Sequence, residues 1–170
     1  MVLHRTEHGF DANLNEHWTI GPKIHGGVML ALCAKAAREA YGSFEPVAVS
    51  ADFLAAPDPG PVQLVTTVRK RGRRIGLVDV ELTQDGRTRV RAVATLGEPE
   101  HLVEPLLSAN PVIGLMAPEP PAGVEPIGPG HPAAPINNLA RGCDIRPELT
   151  ETFTADGAPV FKIWVRPKQG

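Results

Sequence analysis

One apolar segment places the strongest constraint on the fold of this chain. It runs HGGVMLALCAKAAREAYG over residues 25–42, is rich in strong helix formers and ends in a glycine. The segment therefore predicts a helix from about Gly26 to Tyr41, closed by Gly42. Its first three turns are apolar on every side, and charges appear only near its end. Such a helix has to be wrapped by other elements rather than docked by one face.

The residues after this helix have the alternation and the turn signals of an antiparallel sheet. Four segments, VAVSADFL, PVQLVTTVRKR, RIGLVDVELTQ and RTRVRAVATLG, have strand character. Breaks separate them at Pro57–Pro61, at Arg71–Arg74 and at Asp85-Gly86, where the last is a two-residue hairpin signal. We expect consecutive hairpins, and a further strand near Arg5 to Phe10 before the helix. A buried helix with antiparallel strands curling around it is the hotdog fold, an α+β architecture.

A proline-rich segment interrupts the chain after these strands. Residues 99–135 carry about half of the 18 prolines. Because proline fixes φ and removes a backbone donor, this segment is predicted to be an extended linker. We expect a hotdog domain at residues 1–98, the linker at 99–135, and at 136–170 the opening strands of a partial second hotdog, with a turn at Asp156-Gly157. A lone hairpin is marginal in water, so this tail should pair with another sheet, and we suspect a shortened chain.

Charge and cysteine usage exclude several classes of partner. The formal net charge of -2 provides no basic field, so no nucleic-acid partner is expected. Cys33 and Cys143 are far apart and lack metal-ligand spacing, which predicts no metal, no disulfide and a cytoplasmic location. No segment approaches the roughly 18 apolar residues of a membrane span. No cofactor is predicted.

Four features follow one another between residues 17 and 97. They are Trp18 before a Gly-Gly helix start, the strand ending FLAAP, a Gly-Arg turn between strands, and a final hairpin. In this order they resemble the first hotdog of the acyl-CoA thioesterase II-like (TesB-like) family. The tail KIWVRPKQG is similar to the first strand of that family's second hotdog, which normally continues into a second central helix.

The resemblance implies an activity but transfers no catalytic residue. It implies hydrolysis of acyl-CoA thioesters, or binding of an acyl chain and pantetheine in a groove between two hotdog units. The family carries its Asp, Gln and Thr catalytic residues mainly in the second hotdog. None of them can therefore be placed on this sequence.

The start of the helix is the best candidate for an oxyanion site, which thioester hydrolysis requires. The glycines of His25-Gly26-Gly27-Val28 permit close backbone approach, and the first-turn amides, such as those of Gly27 and Val28, suit a thioester oxygen. Alternatively, the glycines only let the helix enter beneath the sheet without a clash. His25 either orients a substrate or water, or caps the helix.

A catalytic acid is missing from the helix itself. In single-hotdog thioesterases the HGG pattern is followed about two turns later by an acid, but here the residues are Leu32, Cys33 and Ala34. The domain is then incomplete alone, or it takes its acid from another segment or subunit. Cys33 has no basic neighbour, so we interpret it as a packing residue rather than a nucleophile.

Asp52 is the substitute acid that lies closest in the predicted sheet. It belongs to the strand that should flank the helix start. If Val47, Val49, Ala51 and Phe53 face the helix, however, alternation directs Asp52 to the other side of the sheet.

The densest charge of the chain lies at the turn between two predicted strands. Arg71, Arg73 and Arg74 are best placed there to bind the phosphates of CoA, or they are simply solvated turn residues.

Two other functions compete with thioester hydrolysis. Asp11, Asn13 and His17 faintly resemble the Asp-x-Asn-Pro-x-His site of enoyl-CoA hydratases, but the spacing is one residue too long and Leu14 replaces the proline. Asp11, Asn13 and Asn15 are interpreted instead as a turn before the helix. A non-catalytic acyl-binding or structural hotdog is the third possibility. In each case we expect a homo-oligomer formed by hotdog pairing, because a single hotdog leaves sheet edges uncovered.

Overall fold

The chain divides into two compact units, Met1–Val103 and Glu104–Gly170. The computed structural model describes residues 1–98, 114, 116–153 and 157–168. Residues 99–113, which open the predicted proline-rich linker, lie outside the described residues.

The first unit is one helix packed on a six-stranded antiparallel sheet. The helix α1 spans Gly26–Tyr41, as predicted, and Gly42 ends it with a φ of 94°. The strands are β1 His4–Arg5, β2 Gly9–Leu14, β3 Thr19–Ile20, β4 Lys23–Ile24, β5 Glu45–Phe53, β6 Gly60–Arg71, β7 Ile75–Gln84 and β8 Arg87–Gly97. The sheet order is β1-β2-β6-β7-β8-β5, and β3 pairs with β4 in a small hairpin before the helix. This is the predicted hotdog fold.

One side of α1 forms the core of this unit. Its buried residues pack against inward-facing side chains such as Leu64, Val80 and Leu96. They are Val28, Met29, Leu32, Cys33, Ala36, Ala37 and Tyr41. On the other side, Gly27 and Ala31 are exposed, and Leu30 and Ala34 are half-buried. The unit therefore covers the helix on one side only, whereas its apolar sequence predicted wrapping all round.

The first strand differs from its predicted position. The segment expected as one strand near Arg5 to Phe10 is divided into β1 and β2, which pair antiparallel. Asp11 and Asn13, which we expected in a turn, lie on the exposed face of β2. Only Asn15 forms a local turn contact, because its side chain accepts a hydrogen bond from the His17 backbone N–H at 2.8 Å. The buried residues alternating with Asp11 and Asn13 explain why polar residues continue the strand.

The sheet also corrects the expectation of consecutive hairpins. Strands β6, β7 and β8 do form hairpins, and Asp85 and Gly86 have the positive φ values of 52° and 70° that a tight two-residue turn requires. Strand β5, in contrast, pairs with β8 rather than with β6. The segment 54–59 crosses from the edge strand β5 to the interior strand β6, which pairs with β2 on its other side.

The second unit is built on a strand pair. Strands β9 Cys143–Phe153 and β10 Pro159–Pro167 are antiparallel, as predicted for the tail. The Trp164 indole N–H donates to the Ala117 carbonyl at 2.9 Å. The Ile127 backbone N–H donates to the Ile145 carbonyl at 2.8 Å. The described end of the proline-rich segment is thus packed on this strand pair.

Two further predictions concern residues of the tail and membrane spans. Of the predicted turn at Asp156-Gly157, Asp156 lies outside the described residues and Gly157 has a positive φ of 83°. In the part of the chain that the structure describes, no helix has the length and apolarity needed to cross a membrane.

Candidate functional site

The start of α1 is organised around His25. Its backbone N–H donates to the Trp18 carbonyl at 2.9 Å, which fixes the residue at the helix entry. The imidazole Nδ1 accepts from the Gly27 N–H at 3.2 Å, and the His25 carbonyl accepts from the Val28 N–H at 3.1 Å. His25 is therefore the N-cap, and both candidate oxyanion amides are bonded to it. Another acceptor can replace His25 at the Gly27 N–H only after the imidazole has rotated away.

Packing within the sheet does not require glycine at these two positions. A Cβ atom at Gly26 would lie 3.5 Å from the nearest atom of the Phe53 ring, which is ordinary contact. At Gly27 it would lie 3.0 Å from the end of the His25 side chain. Outside the helix, no strand backbone of the described chain lies within 4 Å of either position. The alternative that the glycines merely prevent a clash with the sheet is therefore not supported.

Phe53 lies beside this helix start, at the end of β5. Its side chain is 51% exposed although its ring is next to Gly26. Of the other residues expected to face the helix, Val49 and Ala51 pack against the core. Val47 is exposed instead, because the β5–β8 register shifts between Pro46 and Ala48. The sequence identified Phe53 as inward-facing but not as part of the site.

Asp52 lies on the opposite face of the sheet from α1. It is exposed, and its register partner on β8 is Arg91. Together with Arg69 and Asp79, which form an ion pair at 2.6 Å, it lines a shallow depression on this outer face. The structure thus places Asp52 where alternation predicted, away from the helix start.

The arginine turn lies at the other end of the helix. Arg71 is the last residue of β6, and its guanidinium donates to the Tyr41 carbonyl at 3.0 Å and lies over the Tyr41 ring. This side chain satisfies the C-terminus of α1 rather than extending from the loop. Arg73 and Arg74 are exposed and form no ion pair with a described residue. Since α1 ends at Tyr41, roughly 21 Å of helix separates this turn from Gly27.

The middle of α1 has neither a carboxylate nor an ionised thiol. Leu32 and Cys33 are fully buried, and Ala34 is half-buried. Burial raises the pKa of the Cys33 thiol to about 12, so the thiol remains protonated near neutral pH. Cys33 is thus a packing residue, as expected. Among the described residues, no group of three or more His, Cys, Asp or Glu side chains is arranged to hold a metal ion.

A buried polar side chain that fixes the backbone beside the helix entry was not identified from the sequence. Gln84 is buried, and its side-chain amide bonds both to the backbone N–H of Asp58, at 3.0 Å, and to its carbonyl, at 2.9 Å. The Asp58 carboxylate forms an ion pair with Lys23 at 2.6 Å. The signal was present, because Gln84 continues the inward-facing alternation of β7 just before its turn.

Comparison with known families and proteins agrees with the fold of this chain. Residues 14–97 match the family model described as acyl-CoA thioesterase N-terminal domain. Uncharacterized proteins of Mycobacterium tuberculosis and Mycobacterium bovis are 59% identical over 179 aligned positions, which cover 94% of this chain and 62% of each relative. The chain thus spans about three fifths of the length of these curated relatives.

Solved structures share the fold at low sequence identity. A protein proposed to be a thioesterase II from Thermobifida fusca matches with a TM-score of 0.71 and 21% identity, over 87% of this chain and 52% of its own. A protein proposed to be a thioesterase from Novosphingobium aromaticivorans matches with a TM-score of 0.70 and 21% identity, over 97% and 64%. Residues 14–97 therefore match the acyl-CoA thioesterase N-terminal domain in sequence, within a chain that has the hotdog fold.

Proposed function

We propose that this chain supplies the thioester-binding hotdog of an acyl-CoA thioesterase, and that the helix start binds the thioester oxygen. One observation carries the proposal most directly. Gly26 and Gly27 lack side chains although nothing in the sheet excludes them. Their first-turn amides are therefore not covered by side chains of their own, and such amides suit a negatively charged oxygen.

The proposed chemistry exchanges one hydrogen-bond acceptor for another. The thioester oxygen replaces the imidazole Nδ1 of His25 as acceptor of the Gly27 N–H. As water attacks the carbonyl carbon, negative charge develops on this oxygen, and the amide and the helix dipole stabilise it. The C–S bond then breaks and releases CoA as the thiol and the acyl group as the acid.

The group that deprotonates the water has to come from outside this helix. The helix positions at which an acid was expected are occupied by Leu32, Cys33 and Ala34. Asp52 lies on the far face of the sheet, so it does not replace that acid within the same domain. We propose that a second hotdog supplies the base, and that this hotdog belongs to a partner subunit of the same chain.

The uncovered side of the helix fits this need for a second hotdog. Gly27, Leu30, Ala31 and Ala34 form a small and apolar surface that its own unit leaves partly open. Strand β5 is also an edge of the sheet. We propose homo-oligomeric pairing through these elements, in a cytoplasmic protein.

The phosphates of CoA are assigned to the arginine turn. Arg73 and Arg74 are exposed there, whereas Arg71 is already bonded to the helix C-terminus. Within one domain, a single acyl-CoA can place its thioester at Gly27 and its phosphates at this turn only if the molecule lies along the helix. The pairing of two domains offers a second arrangement, in which the turn serves the site of the partner.

A non-catalytic acyl-binding hotdog is the second candidate function. Two observations favour it: His25 already occupies the Gly27 amide, and no carboxylate lies on the helix beside it. This candidate binds acyl-CoA without turnover.

Two variants at one position test the oxyanion role. Gly27→Pro removes the N–H, whereas Gly27→Ala keeps it and adds only a Cβ near the His25 ring. We expect turnover of acyl-CoA to fall by about a hundredfold or more in Gly27→Pro and far less in Gly27→Ala, as for loss of one oxyanion donor. Equal turnover in both would contradict the assignment. Binding of acyl-CoA by the wild-type chain without any turnover would favour the second candidate.

A further inference from the structure

Phe53 combines an exposed apolar side chain with a fixed backbone. Its ring is 51% exposed. The residue pairs with Val90 on β8, and the next two backbone N–H groups, of Leu54 and Ala55, donate to the Arg89 carbonyl at 2.8 and 3.1 Å. The exposure of the ring therefore does not result from a loosely held strand end.

The segment that follows Phe53 is fixed at its other end as well. The carbonyl of the buried Pro57 accepts from the Ile24 N–H at 3.2 Å, on the strand that leads into the helix. The Gln84 amide bonds to both backbone groups of Asp58. Segment 54–59 is thus attached to the sheet and to the helix entry at once. The backbone that carries the Phe53 ring is therefore fixed before a ligand binds, which lowers the ordering cost of a contact with the ring.

The ring borders a space that the sequence leaves empty. A Cβ at Gly26 would touch two atoms of the Phe53 ring, at 3.5 and 3.6 Å. Because Gly26 has no Cβ, a gap of about one methyl group remains between the ring and the first turn of the helix. The next amide, that of Gly27, is the one proposed to bind the thioester oxygen.

We propose that Phe53 is a specificity-determining residue that contacts the acyl carbons nearest the thioester carbonyl. This inference rests on the proposed thioester site and adds its acyl subsite. The ring is uncharged and apolar, so it suits contact with methylene groups. It lies beside Gly26, and the next residue, Gly27, has the amide proposed to bind the thioester oxygen. The ring is therefore close to where the first methylenes of a straight-chain acyl group would lie. Burial of one methylene is worth about fourfold in affinity. The contribution of Phe53 is therefore concentrated between acetyl and butanoyl chains.

The test compares kcat/KM for acetyl-, butanoyl-, hexanoyl- and octanoyl-CoA in the full 170-residue chain. In the wild type, we expect kcat/KM to rise about fifteenfold from acetyl to butanoyl, as two buried methylenes provide. Phe53→Ala should remove most of this first rise and leave the later ones unchanged, and Phe53→Leu should restore part of it. Val93→Ala is the matched control, because Val93 is 47% exposed on the face of the sheet that includes Asp52.

A second variant keeps the test independent of the Phe53 substitutions. Gly26→Ala fits without a clash and fills the space beside the ring. Gly26→Ala should therefore lower kcat/KM for butanoyl-CoA relative to kcat/KM for acetyl-CoA, although Phe53 is unchanged. An unchanged chain-length profile in both Phe53→Ala and Gly26→Ala would overturn the acyl subsite.

Failure of the proposed function and failure of this inference give different results. If the wild type turns over acyl-CoA and both Phe53→Ala and Gly26→Ala keep its chain-length profile, the subsite is wrong and the thioesterase proposal stands. If wild type shows no turnover, calorimetric binding of butanoyl-CoA is compared with that of CoA. A butanoyl-dependent gain that Phe53→Ala removes supports the subsite, and no gain overturns it.

Discussion

At the residue scale, His25 competes with the ligand that the site is proposed to bind. Its imidazole accepts the Gly27 N–H at 3.2 Å and so stabilises the first turn. An acceptor Nδ1 carries no proton, which leaves the ring proton on Nε2 in the capped state. The same side chain therefore supports the helix and covers the amide, and sequence alone could not separate these two roles.

Two substitutions at His25 separate capping from a role in the reaction. Asparagine is a strong N-cap residue, so His25→Asn should keep the free energy of unfolding close to that of the wild type. His25→Ala should lower it by about 1 kcal/mol. If His25 only caps the helix, the asparagine variant also keeps its turnover. Normal stability with a hundredfold loss of turnover in His25→Asn would instead show that the imidazole orients substrate or water.

The two cysteines should differ in reactivity. Burial raises the pKa of Cys33 to about 12, so between pH 7 and 9 almost none of it is thiolate, and the thiol is not accessible. We expect Cys143, which is partly exposed, to be alkylated first, and Cys33 only after unfolding. Mass spectrometry of the alkylated native chain measures this order. Rapid alkylation of native Cys33 would contradict its packing role.

At the element scale, the end of α1 is as closely defined as its start. Tyr41 is buried and stacks on Phe44, and Arg71 lies over its ring. Gly76 on β7 leaves the room for this ring, because a Cβ there would overlap it. The turn of arginines and the helix C-terminus are therefore one packed structure.

Gly76→Ala should destabilise this end of the domain. The added methyl has to displace the Tyr41 ring, and overpacking of this kind costs about 1–3 kcal/mol. Gly97→Ala is the control, since its Cβ would come no closer than 3.4 Å to a neighbour. Urea unfolding of both variants measures the difference. Equal stability of the two would contradict the tight seating of Tyr41.

Local sequence signals predicted the bounds of the helix and strands better than they predicted which strands pair with each other. The bounds of α1 followed from helix formers and Gly42, and the β7–β8 hairpin followed from Asp85-Gly86. The pairing of β5 with β8 did not, because it joins segments distant in sequence and depends on how the whole sheet closes. The positions of Phe53 and Gln84 near the helix start were missed for the same reason, because they depend on contacts between segments distant in sequence.

At the scale of the whole molecule, the described fold leaves surfaces that a second hotdog would complete. One side of α1 is partly open, and β5 is an edge strand. The chain covers 62% of its curated relatives. These observations are consistent with the proposed site shared between two domains, in which the second domain would supply the base.

Association through the open side of the helix should be sensitive to charge there. Ala31 is exposed on this side, so Ala31→Glu should weaken a dimer without disturbing the core. Thr67→Glu is the matched control, because Thr67 is exposed on the outer face of the sheet. Sedimentation velocity should show dimers for the wild type and for Thr67→Glu, and monomers for Ala31→Glu. Dimers of equal stability in all three would place the interface elsewhere.

The release of free CoA tests the central proposal most directly. The purified chain is incubated with acyl-CoAs from acetyl to palmitoyl, and free CoA is quantified by chromatography, which avoids thiol dyes that react with Cys143. We predict release of CoA that depends on chain length and is lost in Gly27→Pro. No release at any chain length, or equal release by Gly27→Pro, would contradict a thioesterase whose oxyanion site is the start of α1.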